Sequence, residues 1–136
     1  MYEHRAQLRF SDTDAMGHIN HARFATIFED ARIGLLRHIA GGDDDLAARG
    51  IILARLEIDY LRPLMLDDDP ALVRARVIRI GTRSFSIDYE LEQRGEVCAR
   101  GVSVLVAYDY AAAGTRPLTA VERGQLERAL EVVPAP

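Results

Sequence analysis

Residues 21–40 constrain the fold more than any other part of the chain. In the run HARFATIFEDARIGLLRHIA, Phe24, Phe28, Ala31, Leu35 and Ile39 recur at helical spacing, and Ala25, Ile27 and Leu36 widen that surface. Arg23, Asp30 and Arg37 mark a narrow polar stripe. A helix apolar around most of its circumference has to be sunk into other structure rather than laid upon it. Gly41 and Gly42 end the run by supplying a left-handed cap, and Asp43, Asp44 and Asp45 favour a solvated loop.

Strands are what the sequence provides to enclose it. Ahead of the helix, Glu3 to Phe10 alternates, with His4, Ala6, Leu8 and Phe10 on one side and Glu3, Arg5, Gln7 and Arg9 on the other. Behind it, Ala54, Leu56, Ile58 and Tyr60, then Val73, Ala75 and Val77, then Phe85, Ile87, Tyr89 and Leu91 form three more strands with one wet face each. Val97 to Tyr108 is apolar on both faces, as expected of a central strand. Pro63 and Pro70 bracket one connection and Arg94-Gly95-Glu96 marks a turn. Thr119 with Glu122 has capping-box spacing and opens a short helix whose apolar residues are Val121, Leu126, Ala129 and Leu130. Consecutive strands joined by short turns are antiparallel, and one long helix covers one face of their sheet, so the expectation is an α+β layered fold in a single domain, residues 1–136. The other face and the sheet edges then favour self-association.

Composition narrows the partners. Over 136 residues, 49% hydrophobic and 28% charged, the chain has enough apolar surface for a core without staples. A net charge of -4 argues against nucleic acid, which needs clustered cations in excess. The cations are arginines, the type suited to gripping a phosphate or carboxylate, so a small anionic ligand stays open. Cys98 is the sole cysteine, which excludes an internal disulfide and fits the reducing cytoplasm. No apolar run approaches the roughly 20 residues that span a bilayer, and the first residues lack the pattern of a signal sequence, so neither membrane nor secretion is expected.

Chemistry concentrates between the first strand and the long helix. Asp12, Asp14, Gly17, His18, Asn20 and His21 fall within ten residues, where the first turn of a helix offers free N–H groups and a positive dipole end. A carboxylate beside such donors is equipment for acyl transfer or hydrolysis. Ordinary helix capping and turn chemistry account for the same residues equally well. A metal held by His18, His21 and an aspartate lacks a third histidine or a glutamate base, so no metal or other cofactor is expected. Cys98 lies mid-strand in an apolar run and is expected to be a small buried hydrophobe, not a nucleophile.

The segment Arg9-Phe10-Ser11-Asp12-Thr13-Asp14-Ala15-Met16-Gly17-His18-Ile19-Asn20-His21, followed by Phe28-Glu29-Asp30-Ala31-Arg32, resembles the signature of the 4-hydroxybenzoyl-CoA thioesterase-like family of hot-dog proteins. Ile58-Asp59-Tyr60-Leu61-Arg62-Pro63-Leu64, Ile80-Gly81-Thr82-Arg83-Ser84-Phe85 and Ala99-Arg100-Gly101 extend the likeness from about residue 5 to about residue 110. The resemblance implies a hot-dog fold, with an antiparallel sheet of about five strands wrapped around the long helix, and a short C-terminal helix. It implies hydrolysis of an acyl-CoA thioester at a subunit interface of a homodimer or a tetramer of dimers. Asp14 matches the catalytic carboxylate. His21 matches the position whose backbone N–H polarises the thioester carbonyl, with its side chain as a possible aid. Gly17, His18 and Asn20 match the loop that shapes the site, and Arg83 with Ser84 matches a region near the CoA phosphates. Two departures stand out: Leu64-Met65-Leu66-Asp67-Asp68-Asp69 replaces the Gly-Asp pair common after the proline, and Thr82 stands where relatives often carry a base. A non-catalytic domain binding acyl-CoA or an acyl-carrier protein is the alternative that a shared fold leaves open.

Overall fold

A computed structural model describes residues 1–41 and 50–131. The elements are β1 (Tyr2–Ala6), α1 (His21–Ala40), β2 (Ile51–Tyr60), β3 (Ala71–Ile80), β4 (Ser84–Gln93), β5 (Glu96–Asp109), a short β6 (Gly114–Thr115) and α2 (Ala120–Ala129). The sheet runs β1-β3-β4-β5-β2 with every pair antiparallel, and β6 adds to the end of β5. This is the expected hot-dog arrangement, with α1 lying against the sheet's inner face.

Local signals account for the ends of α1. Asn20 caps the N-terminus, its side-chain oxygen accepting the Ala22 N–H at 2.9 Å, and Gly41 closes the other end with φ +66. The inner sheet face is the alternation anticipated above: Val73, Ala75, Val77, Phe85, Ile87, Tyr89 and Leu91 are all buried. Phe28 of α1 stacks on Tyr89 with ring centroids 4.9 Å apart. Gly101 on β5 makes room for that ring, since a Cβ there would lie 2.8 Å from it.

Several boundaries differ from expectation. The first strand ends at Ala6, and Phe10–Asp12 forms a 3-10 turn with Phe10 84% exposed. Here Asp12 Oδ2 accepts the Arg9 N–H while the Arg9 carbonyl accepts the Asp12 N–H, and such local bonds compete with a sheet ladder. β2 and β3 are not neighbours. β2 crosses to the far edge beside β5, so residues 61–70 form a crossing connection, whereas Arg94 and Gly95, both at positive φ, make the tight β4–β5 hairpin. As an edge strand β2 leaves Leu53 and Tyr60 exposed. On α2, Thr119 and Glu122 form the capping box, but Val121 and Leu130 face out and the buried residues are Glu122, Gln125 and Leu126. Asp43, Asp44 and Asp45 lie outside the described residues. No helix among those described is long and apolar enough to cross a membrane.

Candidate active site

The two aspartates of the loop have different surroundings. Asp12 is buried: its carboxylate lies near the Arg9 and Arg23 guanidinium groups, at 3.7 and 3.6 Å, and its carbonyl accepts the Asn20 N–H at 2.8 Å. It ties the loop to the start of α1. Asp14 is half-buried, and its Oδ1 accepts N–H groups from Met16 at 2.9 Å and His18 at 3.3 Å. Backbone bonds from Asp14 N–H to the His18 carbonyl and from Gly17 N–H to the Asp14 carbonyl close a tight turn. Gly17 supplies the required φ of +82. A bond from Ile19 N–H to the Leu64 carbonyl, 2.8 Å long, fastens the turn to the crossing connection.

One oxygen of Asp14 is therefore held, and the other has no partner among the described residues. The helix start shows a similar division. Asn20 takes the Ala22 N–H on its side chain and the Arg23 N–H on its carbonyl, leaving the His21 N–H without an acceptor among the described residues. Asp14 and His21 both line a cleft of about 380 Å³, whose walls are largely apolar: Met16, Ile19, Phe24, Tyr60, Leu61 and Leu64. Tyr60, which the sequence marked only as a strand residue, donates its hydroxyl to the His21 carbonyl at 3.0 Å and packs against His21 and Phe24. Its place in the resembling Ile58–Leu64 segment was the available signal.

His18, Arg62 and Pro63 separate this cleft from a second of about 420 Å³, which Met65, Gln93, Arg94, Glu96 and Cys98 complete. Arg62 contacts Glu96 at 3.2 Å, and Arg94 binds both Asp67 and Asp69. Buried Gln93 accepts the Met65 N–H and donates to the Met65 and Asp69 carbonyls. An amide that bonds three ways fastens the connection where the family's Gly-Asp pair is missing. Cys98 is buried, and burial raises its thiol pKa, which suits the expected inert role.

Arg83 and Ser84 stand elsewhere in the chain. Arg83 donates to the Thr115 carbonyl at 2.9 Å, and Ser84 opens β4, whose other end, Gln93, is at the second cleft. Along a ten-residue strand that separation is roughly 30 Å. One chain alone does not bring Arg83 and Ser84 to Asp14. Among the described residues, no group of three or more His, Cys, Asp or Glu side chains is gathered as a metal site.

A long helix held by a five-strand antiparallel sheet, with a carboxylate beside the helix start, defines a class, and family comparison gives the same class. The model of the thioesterase-like superfamily matches residues 8–136. The chain belongs to that superfamily and is by class a thioester hydrolase. Among solved structures it resembles a thioesterase from Thermus thermophilus, complexed with coenzyme A and Zn, at 32% identity and a TM-score of 0.81, covering 93% of this chain and 92% of that one. A predicted thioesterase from Bacillus stearothermophilus superposes with a TM-score of 0.88 at 26% identity, covering 98% of each chain. The uncharacterized protein YsmA of Bacillus subtilis (strain 168) is 26% identical over 103 residues, 75% of this chain and 69% of that protein.

Proposed function

We infer that this protein hydrolyses acyl-CoA thioesters, with Asp14 as the reacting carboxylate and the His21 backbone N–H as the oxyanion donor. The observation that carries this reading is the pairing on one apolar cleft of two groups without a partner among the described residues, one Asp14 oxygen and the His21 N–H. A thioester carbonyl entering that cleft has an N–H at the positive end of α1 for the charge that develops on its oxygen. Its acyl body would pack on Met16, Phe24, Tyr60 and Leu61. The free Asp14 oxygen then attacks the carbonyl carbon or takes a proton from an attacking water. In both routes the C–S bond breaks and the CoA thiolate leaves and takes up a proton; direct attack leaves an Asp14–acyl anhydride that one water then hydrolyses to the acid and free Asp14, whereas the activated water itself becomes the second oxygen of the acid. The resemblance to a coenzyme A-bound thioesterase supports the choice of CoA. Gly17, His18 and Asn20 act by holding the turn and the helix start.

The reading includes a second copy of the chain. β2 runs from Ile51, opposite Ala107, whose N–H bonds the Arg83 carbonyl, to Tyr60 at the Asp14 cleft. Two-fold pairing of antiparallel β2 edges would reverse that direction in the partner and set one chain's Arg83–Ser84 end beside the other's Asp14 end. The open edge, with Leu53, Tyr60 and Leu61 at 44%, 49% and 47% exposure, supports it. Light scattering is expected to give a dimer or a multiple of it, and a monomer at working concentration would refute the shared site.

The decisive test is Asp14→Asn, assayed by thiol release from a panel of acyl-CoAs. Asparagine keeps the Oδ1 acceptor that holds Met16 and His18, so stability should stay within about 0.5 kcal/mol while turnover falls roughly 10²–10⁴-fold. An undiminished rate removes Asp14 from the chemistry. Wild-type protein that binds acyl-CoA and releases no thiol would instead be the non-catalytic binding domain.

A further inference from the structure

Gln93 closes β4, is 4% exposed and does not line the Asp14 cleft, yet its side chain is joined to Asp14 through the backbone. The connection after β2 is not a strand, so partners for its backbone groups have to come from elsewhere. Met65 finds both of its partners on one side chain: Gln93 Oε1 accepts the Met65 N–H at 3.0 Å, and Gln93 Nε2 donates to the Met65 carbonyl at 2.9 Å. The same nitrogen reaches the Asp69 carbonyl at 3.0 Å. A buried amide thereby stands in for a neighbouring strand.

Peptide planarity carries this grip further. The Met65 N–H and the Leu64 carbonyl belong to one trans, planar peptide group and point in opposite directions from it. Fixing the N–H on Gln93 therefore fixes the direction of the carbonyl, which accepts the Ile19 N–H at 2.8 Å. The Ile19 N–H in turn shares a peptide group with the His18 carbonyl, which accepts the Asp14 N–H at 2.9 Å. Three hydrogen bonds through two rigid planes thus run from Gln93 Oε1 to the Asp14 backbone. Bonds aligned in this way polarise one another, so each strengthens the next. Pairing of His18 with Met65 as an isolated antiparallel bridge keeps the two segments in register. Burial of the Leu64 side chain fixes where that residue sits, whereas the orientation of the peptide plane after it is set by the bonds on either side.

We propose that Gln93 is a positioning residue: through the Leu64–Met65 and His18–Ile19 peptide groups it holds the Asp14 turn so that the carboxylate faces the cleft. For turnover the proposal rests on the reading of Asp14 as the reacting carboxylate. For the geometry of the turn it stands on the bonds alone.

Two measurements test it. In the ¹⁵N-labelled wild-type chain, amide exchange at Asp14, Ile19 and Met65 should be protected to within about threefold of one another, as bonds that open together are. Gln93→Met removes the amide at similar length and should speed exchange at Ile19 and Asp14 by roughly tenfold or more. In thiol release from acyl-CoA it should lower kcat by roughly tenfold or more with KM within about threefold, because displacing a reacting group costs rate rather than binding. Glu122→Gln breaks the pair with Arg116, leaves the bonds from Gln93 to Asp14 in place, and is the control for lost stability. At a temperature where both variants are folded, its kcat should match the wild type. The proposal is overturned if Asp14 and Ile19 exchange independently of Met65, if Gln93→Met leaves their exchange unchanged, or if it lowers kcat no further than Glu122→Gln does. If Gln93→Met does not fold, the wild-type exchange pattern decides. Wild-type protein that releases no thiol from any acyl-CoA would refute the reaction assigned to Asp14, and the exchange measurements would still decide the role of Gln93.

Discussion

Glu122→Gln should loosen α2 by an amount that can be worked from the structure. Glu122 is 1% exposed, and its two oxygens accept both terminal nitrogens of Arg116 at 2.6 and 2.9 Å, with the Thr119 N–H at 2.8 Å completing the set. Arg116 also reaches the Gly50 carbonyl ahead of β2, so the pair fastens α2 to the sheet. Removing one partner of a fully buried pair costs about 3–5 kcal/mol. The Arg116 side chain is 19% exposed and can recover some water, so about 2–3 kcal/mol is expected here. At an unfolding entropy of roughly 2.1 cal/mol/K per residue, that lowers the midpoint by about 7–10 °C. The loss should itself depend on pH. Burial alone would raise the Glu122 pKa, but the Arg116 and Thr119 bonds outweigh it and hold the carboxyl below its ordinary 4.5. A lowered pKa contributes stability that is fully present above pH 4.5 and lost as pH falls through the folded value. The gap between wild type and variant should therefore be full at pH 7 and narrow toward pH 3. The chain has no tryptophan, so urea unfolding followed by far-ultraviolet circular dichroism is the assay. A gap under about 0.5 kcal/mol at pH 7, or one that does not narrow in acid, would refute the reasoning.

Two further substitutions probe the helix that carries the site. Asn20→Ala removes the acceptor for the Ala22 N–H and should cost about 1 kcal/mol in urea unfolding. Because it frees the helix start next to His21, thiol release should fall by roughly tenfold as well, more than the stability loss explains. Gly101→Ala drives a Cβ to 2.8 Å from the Phe28 ring and 3.2 Å from the Glu57 carbonyl, and should cost about 1–3 kcal/mol. Phe28→Leu in the same chain should recover part of that cost. Additive losses in the double variant would show that the ring is not what the new methyl meets.

What the amino-acid order determines here is whatever rests on neighbours in sequence. α1 spans the His21–Ala40 run because 3.6-residue periodicity and Gly41 are both local signals, and the capping box of Thr119 and Glu122 starts α2 for the same reason. Alternation also marked which side of β3 and β4 faces the core, and the apolar character of both faces of β5 matched its place between β4 and β2. Alternation is the same, however, for an edge strand and an inner one. Tertiary pairing alone decided that β2 lies beyond β5 and that residues 61–70 cross, and with that crossing came Tyr60, Arg62 and Gln93 as builders of the clefts. The same holds for the two aspartates. Asp12 and Asp14 are equivalent as letters, and they differ because Asp12 is buried against Arg9 and Arg23 while the turn fastened to Leu64 leaves one Asp14 oxygen open on the cleft. Arg83 lay in another of the segments that carry the family resemblance, yet it precedes the Ser84 end of β4, roughly 30 Å from Gln93 at the other end of that strand. Distance across a sheet depends on which strands pair, and that is a property of the whole packed chain.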